Sequence, residues 1–154
     1  MSKKQRILIY GYGNPGRQDD GLGILMVERM EKWIQDQNLT NIFTDSNYQL
    51  NIEDAAEIAE YDIVIFADAS KEEIADFVYD EVEPSIKVDF SMHSVSPSFV
   101  LGLSEQINEK SPRVYLLHIK GYEWEFMEEI TPEAESNLEK ADNFLKNKIM
   151  EYMK

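Results

Sequence analysis

The sequence predicts an α/β fold of three layers, with helices on both faces of a mostly parallel, mixed five-stranded sheet. Three observations predict it. Short apolar runs alternate along the chain with segments whose apolar residues recur at helical spacing. Two of the runs, RILIY at 6–10 and DIVIFADAS at 62–70, are continuously apolar, as strands covered on both faces are. A third, DFVYDEVE at 76–83, alternates apolar and polar residues, as a half-exposed strand does.

The elements follow in order. RILIY feeds a glycine-rich loop and reads as the first strand. From about Gly21 to Gln37, Ile24, Val27, Met30 and Ile34 fall on one helical face. Asp19 and Asp20 stand just before that helix, where the N-terminal dipole favours negative charge. NIFTD, 41–45, is a second short strand. Residues 51–61 predict a helix with Asn51 as N-cap and Ala55, Ile58 and Ala59 inward. DIVIFADAS is the most apolar strand, hence central, and carries Asp68 at its end. After the half-exposed strand comes a polar loop, DFSMHSVSP, with His93. Residues 97–110 read as a helix with Phe99, Val100, Leu103 and Ile107 on one face, and 113–122 as the last strand. Thr131 is a natural N-cap for the final helix, with Pro132 at its first position, Glu133 in its first turn and a stripe of Leu138, Ala141, Leu145 and Ile149.

A chain of 154 residues is expected to form one domain, 1–154, large enough to fold without disulfide or metal. It has no cysteine, which excludes thiolate catalysis and thiolate metal sites and fits a reducing compartment. A net charge of −15 opposes nucleic acid, whose phosphates such a surface repels. The first apolar run is too short for a signal peptide, and no stretch approaches membrane-spanning length, so a cytoplasmic location is the expectation. The oligomeric state stays open.

Gly11-Tyr12-Gly13-Asn14-Pro15-Gly16 fits G-x-G-x-x-G, the fingerprint of a dinucleotide cradle, and Asp45 ends the second strand roughly where a ribose-binding acid is sought. The context argues otherwise. Pro15 has no N–H to give a phosphate, the helical pattern begins after Asp20 instead of at Gly16, and two carboxylates sit where a pyrophosphate would. Capping accounts for one acid there, but two exceed what a cap needs. Asp68, alone, reads as a polar residue closing a strand, although burial of its carboxylate calls for an offset. Ligands of open α/β sheets bind beyond the carboxyl ends of strands, where Asp20, Asp68 and His93 are expected to converge. Two carboxylates and an imidazole form a first shell for a divalent ion such as nickel or zinc, with coordination positions left open. His118, inside an apolar strand, reads as structural.

GYGNPGRQDDGLG, FADAS and MHSVSPSFVLGL, in that order, resemble the motifs of the nickel-iron hydrogenase maturation endopeptidases. The resemblance runs from the first strand to the final helix. YQLNIEDAAEIAEYDIVIFADAS fits the branch with a Gln-Leu pair before the second helix, and ITPEAE resembles the segment opening the family's last helix. It implies a phosphorylase/hydrolase-like α/β/α fold and an endopeptidase that removes a C-terminal extension from the hydrogenase large-subunit precursor once nickel is inserted. The resemblance further implies that Asp20, Asp68 and His93 contact nickel supplied by the substrate and do the catalytic work, with Asp19 positioning the loop. Water activated by metal or carboxylate would attack the peptide, or one carboxylate would serve as general base; the sequence leaves both open. There is no HExxH helix, and Ser94 and Ser96 lack the G-x-S-x-G context of a serine hydrolase. Met127 departs from the pattern, since relatives often carry glycine there, and DSNYQLN lacks the glycine-rich turn of other branches. Gln49 either touches substrate or holds a loop. The alternative to an enzyme is an inactive metal-sensing or docking module for a hydrogenase precursor.

Overall fold

Each buried strand of the computed structural model, which describes residues 4–85 and 95–154, sorts its side chains alternately between two cores, because successive residues of a strand point to opposite faces. In β1 (Ile7–Tyr12), Ile7 and Ile9 enter one core and Leu8 and Tyr10 the other. In β3 (Ile63–Ser70), Ile63, Ile65 and Ala67 join the first, and Val64 and Phe66 the second. The first core is closed by α1 (Leu22–Asp36) and α4 (Pro132–Tyr152), the second by α2 (Asp54–Ile58) and α3 (Pro97–Ile107). Each large apolar side chain so enclosed contributes about 1.5–3 kcal/mol.

With β2 (Ile42–Asn47), β4 (Phe77–Glu81) and β5 (Arg113–Lys120), the sheet has the order β2-β1-β3-β5-β4. All neighbours are parallel except β4 with β5. The expected three-layer, mixed five-stranded architecture is therefore present. From β1 the chain crosses to β2 on one side; from β2 it returns past β1 to β3 on the other. Connections thus diverge at the C-terminal ends of β1 and β3, which is where open α/β sheets bind ligands.

The last helix matches its sequence pattern. Thr131 caps it by accepting the Ala134 N–H, and Leu138, Ala141, Leu145 and Ile149 are all buried. Two helices differ. The segment 51–61 forms only the five residues of α2, and Asn51 is not its N-cap. Instead, the Asp54 carboxylate accepts the Asn51 N–H at 2.8 Å and the Tyr10 hydroxyl at 3.0 Å, which folds the preceding residues back as a turn. Ala55 and Ile58 are buried as expected, and Ala59 only in part. In α3 the buried row is Val100, Leu101 and Ser104, one position round from the expected face, and Ile107 is 56% exposed where the helix ends. That rotation fits Gly102, where an added Cβ would lie 2.3 Å from the Ser85 carbonyl oxygen. β3 ends at Ser70, as the run 62–70 predicts, with Asp68 two residues inside that end.

Candidate active site

The loop after β1 begins with a glycine that turns and ends with two aspartates that part company. Gly13 has φ +138°, and a Cβ there would lie 2.2 Å from the Asp20 carbonyl oxygen, so the loop folds back on itself only with glycine at this place. Gly11 does a different job. It lies within β1, and a Cβ there would meet the Gly23 carbonyl oxygen at 2.2 Å, so it lets the first turn of α1 rest on the sheet. Gly16 makes neither demand.

The amides from Gly13 to Arg17 are all spoken for. Gly13 N–H donates to the Asn47 carbonyl, Asn14 N–H to Asp20 Oδ2 at 2.8 Å, Gly16 N–H to Asn14 Oδ1, and Arg17 N–H to the Asn14 carbonyl. Pro15 has none to give. A phosphate would find no free donor in this run, and α1 starts at Leu22, after a 3-10 turn over Gln18–Gly21. The dinucleotide reading fails on both grounds.

Within the 3-10 turn, Asp19 points inward and Asp20 toward the sheet edge. Asp19 is fully buried and accepts four hydrogen bonds: Tyr122 N–H at 2.7 Å, Glu123 N–H at 3.1 Å, and both the N–H and the hydroxyl of Thr131 at 2.8 Å. It ties the loop before α4 to the loop after β1, the positioning role expected of it. Asp20 is half-buried. Among the described residues, only its Oδ2 accepts a hydrogen bond.

Asp68 is half-buried near the C-terminal end of β3, on the α2/α3 face of the sheet. Burial pushes its carboxyl up to about 7, and the negative charge of Asp20 adds to the rise. The neighbouring Ala69 amide and Tyr12 phenol favour the ionised form and act against it. The 3-10 turn that carries Asp20 packs against β3, and the charge of Asp20 bears on Asp68. Tyr12, the first variable position of G-x-G, is the neighbour that sequence reasoning missed. Its alternation with Tyr10 along β1 places both on one face, but only the β1–β3 pairing reveals what lies beside it.

His118 is paired in register with Asp68 across β3 and β5, and burial holds its imidazole below the usual histidine range. Among the described residues, no three His, Asp or Glu side chains group as a metal centre, so His118 does not complete a shell with the two aspartates. His93 and Ser94 lie outside the described residues. Ser96, three residues on from His93, uses its hydroxyl to accept the Phe99 N–H and cap α3. Gln49 is exposed in the loop after β2, away from any described hydrogen bond of its side chain.

Two grooves flank the loop after β1. The larger, about 560 Å³, runs between that loop and the segment before α4, with Pro15, Met127 and Ile130 on its walls. A smaller one, about 270 Å³, opens between Gly13, Ile24 and Tyr48 on the β2 side. No helix of the described residues is long and apolar enough to cross a membrane.

No family model matches the chain, and no curated protein matches it significantly. Solved structures do. A NiFe hydrogenase maturation protease from Thermococcus kodakarensis superposes with TM-score 0.72 at 22% identity, covering 94% of this chain and 92% of its own. The hydrogenase maturating endopeptidase of E. coli gives TM-score 0.69 at 21% identity, covering 95% and 93%. A hydrogenase 2 maturation peptidase from a Thaumarchaeota archaeon gives 0.65 at 18%, covering 94% and 98%. Nearly end to end, the chain has the fold of solved hydrogenase maturation proteases.

Proposed function

We propose that this protein is an endopeptidase that trims the C-terminal extension from the large-subunit precursor of a nickel-iron hydrogenase after nickel insertion, in the cytoplasm. The observation that carries the reading is the packing of the Asp20 turn against β3, where its charge bears on Asp68, at the switch point of a fold that solved hydrogenase maturation proteases share. In this reading nickel arrives as part of the substrate, contacted by Asp20, Asp68 and His93. Asp20 Oδ1, with no hydrogen bond among the described residues, is the natural donor to such an ion.

The chemistry asked of the pair is ordinary. A carboxyl raised to about 7 is half protonated near neutral pH and can take a proton from water attacking the scissile carbonyl, then return one to the departing amine. A cation bound alongside would favour its ionised form and turn it from proton carrier to ligand. The Tyr12 phenol beside Asp68 favours its ionised form. Gln49, exposed beyond β2, is a candidate contact for the substrate chain.

The experiment is a mass measurement. Nickel-loaded, unprocessed large subunit incubated with the protein should lose a C-terminal peptide, and Asp20→Asn, Asp68→Asn and His93→Ala should each stop the loss. A precursor of unchanged mass after incubation with wild-type protein removes the reading, and binding without cleavage replaces it with a metal-sensing or docking module.

A further inference from the structure

Met127 is an expensive residue for its place. It adopts φ +64°, a left-handed conformation that non-glycine side chains disfavour, and it is 91% exposed. Its neighbour Phe126 is 68% exposed. Neither contributes to a core, so folding gives no reason for two large apolar side chains on a strained tip. Strain at an exposed apolar site is a mark of contact with something else.

The tip is also rigidly mounted. Met127 N–H donates to the Gly16 carbonyl at 2.9 Å, Glu125 N–H to Gln18 Oε1 at 3.0 Å, and Arg17 Nε to the Trp124 carbonyl at 3.1 Å. The Arg17 guanidinium lies 5.2 Å from the Phe126 ring centroid. The buried Asp19 carboxylate anchors the start of the segment through Tyr122 and Glu123. A preordered tip of this kind loses little freedom on binding.

Beneath the tip runs the groove of about 560 Å³, with Pro15, Leu25, Met127 and Ile130 as apolar walls and Glu128 and Glu129 on its rim. Glu125, Glu128 and Glu129 form no ion pair among the described residues, while Glu135, at the far wall, is paired with Arg29 at 2.9 Å. The rim is acidic despite Arg17. An occupant must therefore bring apolar side chains for Met127 and Phe126 and positive charge for the glutamates.

We infer that the Phe126–Met127 tip and its acidic groove dock a basic, apolar-bearing segment of the precursor protein, apart from the peptide bond to be cut. The inference rests on the processing reading above, because the groove shares the Pro15–Gly21 loop with Asp20.

The test uses full-length protein and unprocessed nickel-iron hydrogenase large subunit, with affinity read by surface binding, cleavage by intact mass, and oligomeric state by sedimentation. Met127→Gly relieves the backbone while deleting the side chain, so it should raise the melting temperature by a few degrees yet weaken precursor binding at least tenfold. A merely structural residue would not move the two in opposite directions. Glu128→Lys with Glu129→Lys should weaken binding as much and remove the salt dependence that the wild type shows. Variants that bind the precursor as tightly as wild type, wild type that does not bind it, or a self-association that Met127→Gly dissolves would each overturn the docking site. Precursor shortened equally well by all variants leaves the protease and removes the docking surface. Precursor held through the tip but never shortened does the reverse.

Discussion

Thr131 reaches Asp19 twice, donating both its N–H and its hydroxyl to the carboxylate at 2.8 Å. The same hydroxyl oxygen accepts the Ala134 N–H, so one chain of hydrogen bonds runs from the loop after β1 into the first turn of α4. Asp19 is fully buried, so its carboxylate oxygens are satisfied by these protein donors.

Asp19→Ala should therefore be among the most damaging single changes outside the core. It strands the donors of Tyr122, Glu123 and Thr131 in a buried place, and hydrogen bonds to a charged acceptor are worth about 1.5–3 kcal/mol each, though not additively. A loss of roughly 3–5 kcal/mol in urea unfolding is expected. Asp20→Asn keeps an acceptor for the Asn14 N–H and should change stability by less than about 1 kcal/mol while abolishing processing. Equal stability losses for the two would deny the division of labour between them.

Asp68 sets a pH dependence of stability. Its folded-state value of about 7 lies above the ordinary 3.8, so the folded chain binds more protons than the unfolded chain between those values. Stability from this group is thus full below about pH 4 and declines as pH rises to about 7. Asp68→Asn mimics the neutral form. It should match wild type near pH 4 and exceed it at pH 8 by roughly 2–4 kcal/mol. Tyr12→Phe removes a phenol that favours the ionised form and should move the Asp68 titration higher, read as the carboxyl carbon shift by NMR. A midpoint unchanged in Tyr12→Phe would mean that the phenol does not hold Asp68.

Much of the fold was legible because burial on both faces leaves a plain trace. RILIY and DIVIFADAS are continuous apolar runs, and α4 carries cap, proline and stripe together. What was not legible depends on distant partners. The turn before α2 forms because Asp54 answers Tyr10, forty-four residues earlier in the chain. The rotation of α3 depends on how closely Ser85 approaches Gly102. Asp19 and Asp20 are chemically identical neighbours, and only the fold decides which is enclosed. Tyr12 owes its role to strand pairing, and the site's third expected member, His93, lies outside the described residues.

Gly23 tests how firmly α1 holds the site. A Cβ there would stand 2.4 Å from the Ala67 carbonyl oxygen and 2.6 Å from that of Tyr12, both backbone atoms at the C-terminal ends of β3 and β1. Neither can give without the strand moving. Gly23→Ala should lift the first turn of α1 and cost roughly 2–4 kcal/mol despite alanine's better helix propensity. It should also lower processing activity, because Asp20 lies three residues ahead on the same path and Asp68 follows Ala67. A stable, fully active variant, by unfolding and by precursor mass, would show that the helix has room to spare.

A second carboxyl is pushed upward farther from the site. Burial, and after it a hydrogen bond to Asp45 and the charge of that residue and of Asp54, push the Glu57 carboxyl well above its usual range, to about 8. Asp45 stands on β2 and Glu57 on α2, so the charge of the one bears on the other between a strand and a helix of the second layer. The sign follows as for Asp68. Glu57 is protonated in the folded chain where the unfolded chain has already ionised, so its contribution is full below about pH 4.5 and is lost as pH rises through about 8. Above that, two carboxylates face each other and α2 should loosen first. Glu57→Gln keeps a donor toward Asp45 at every pH. Hydrogen exchange of the α2 amides should therefore quicken in wild type between pH 7 and 9, after correction for intrinsic rates, and stay flat in the variant. Parallel curves for the two proteins would mean that Glu57 ionises without consequence for the helix.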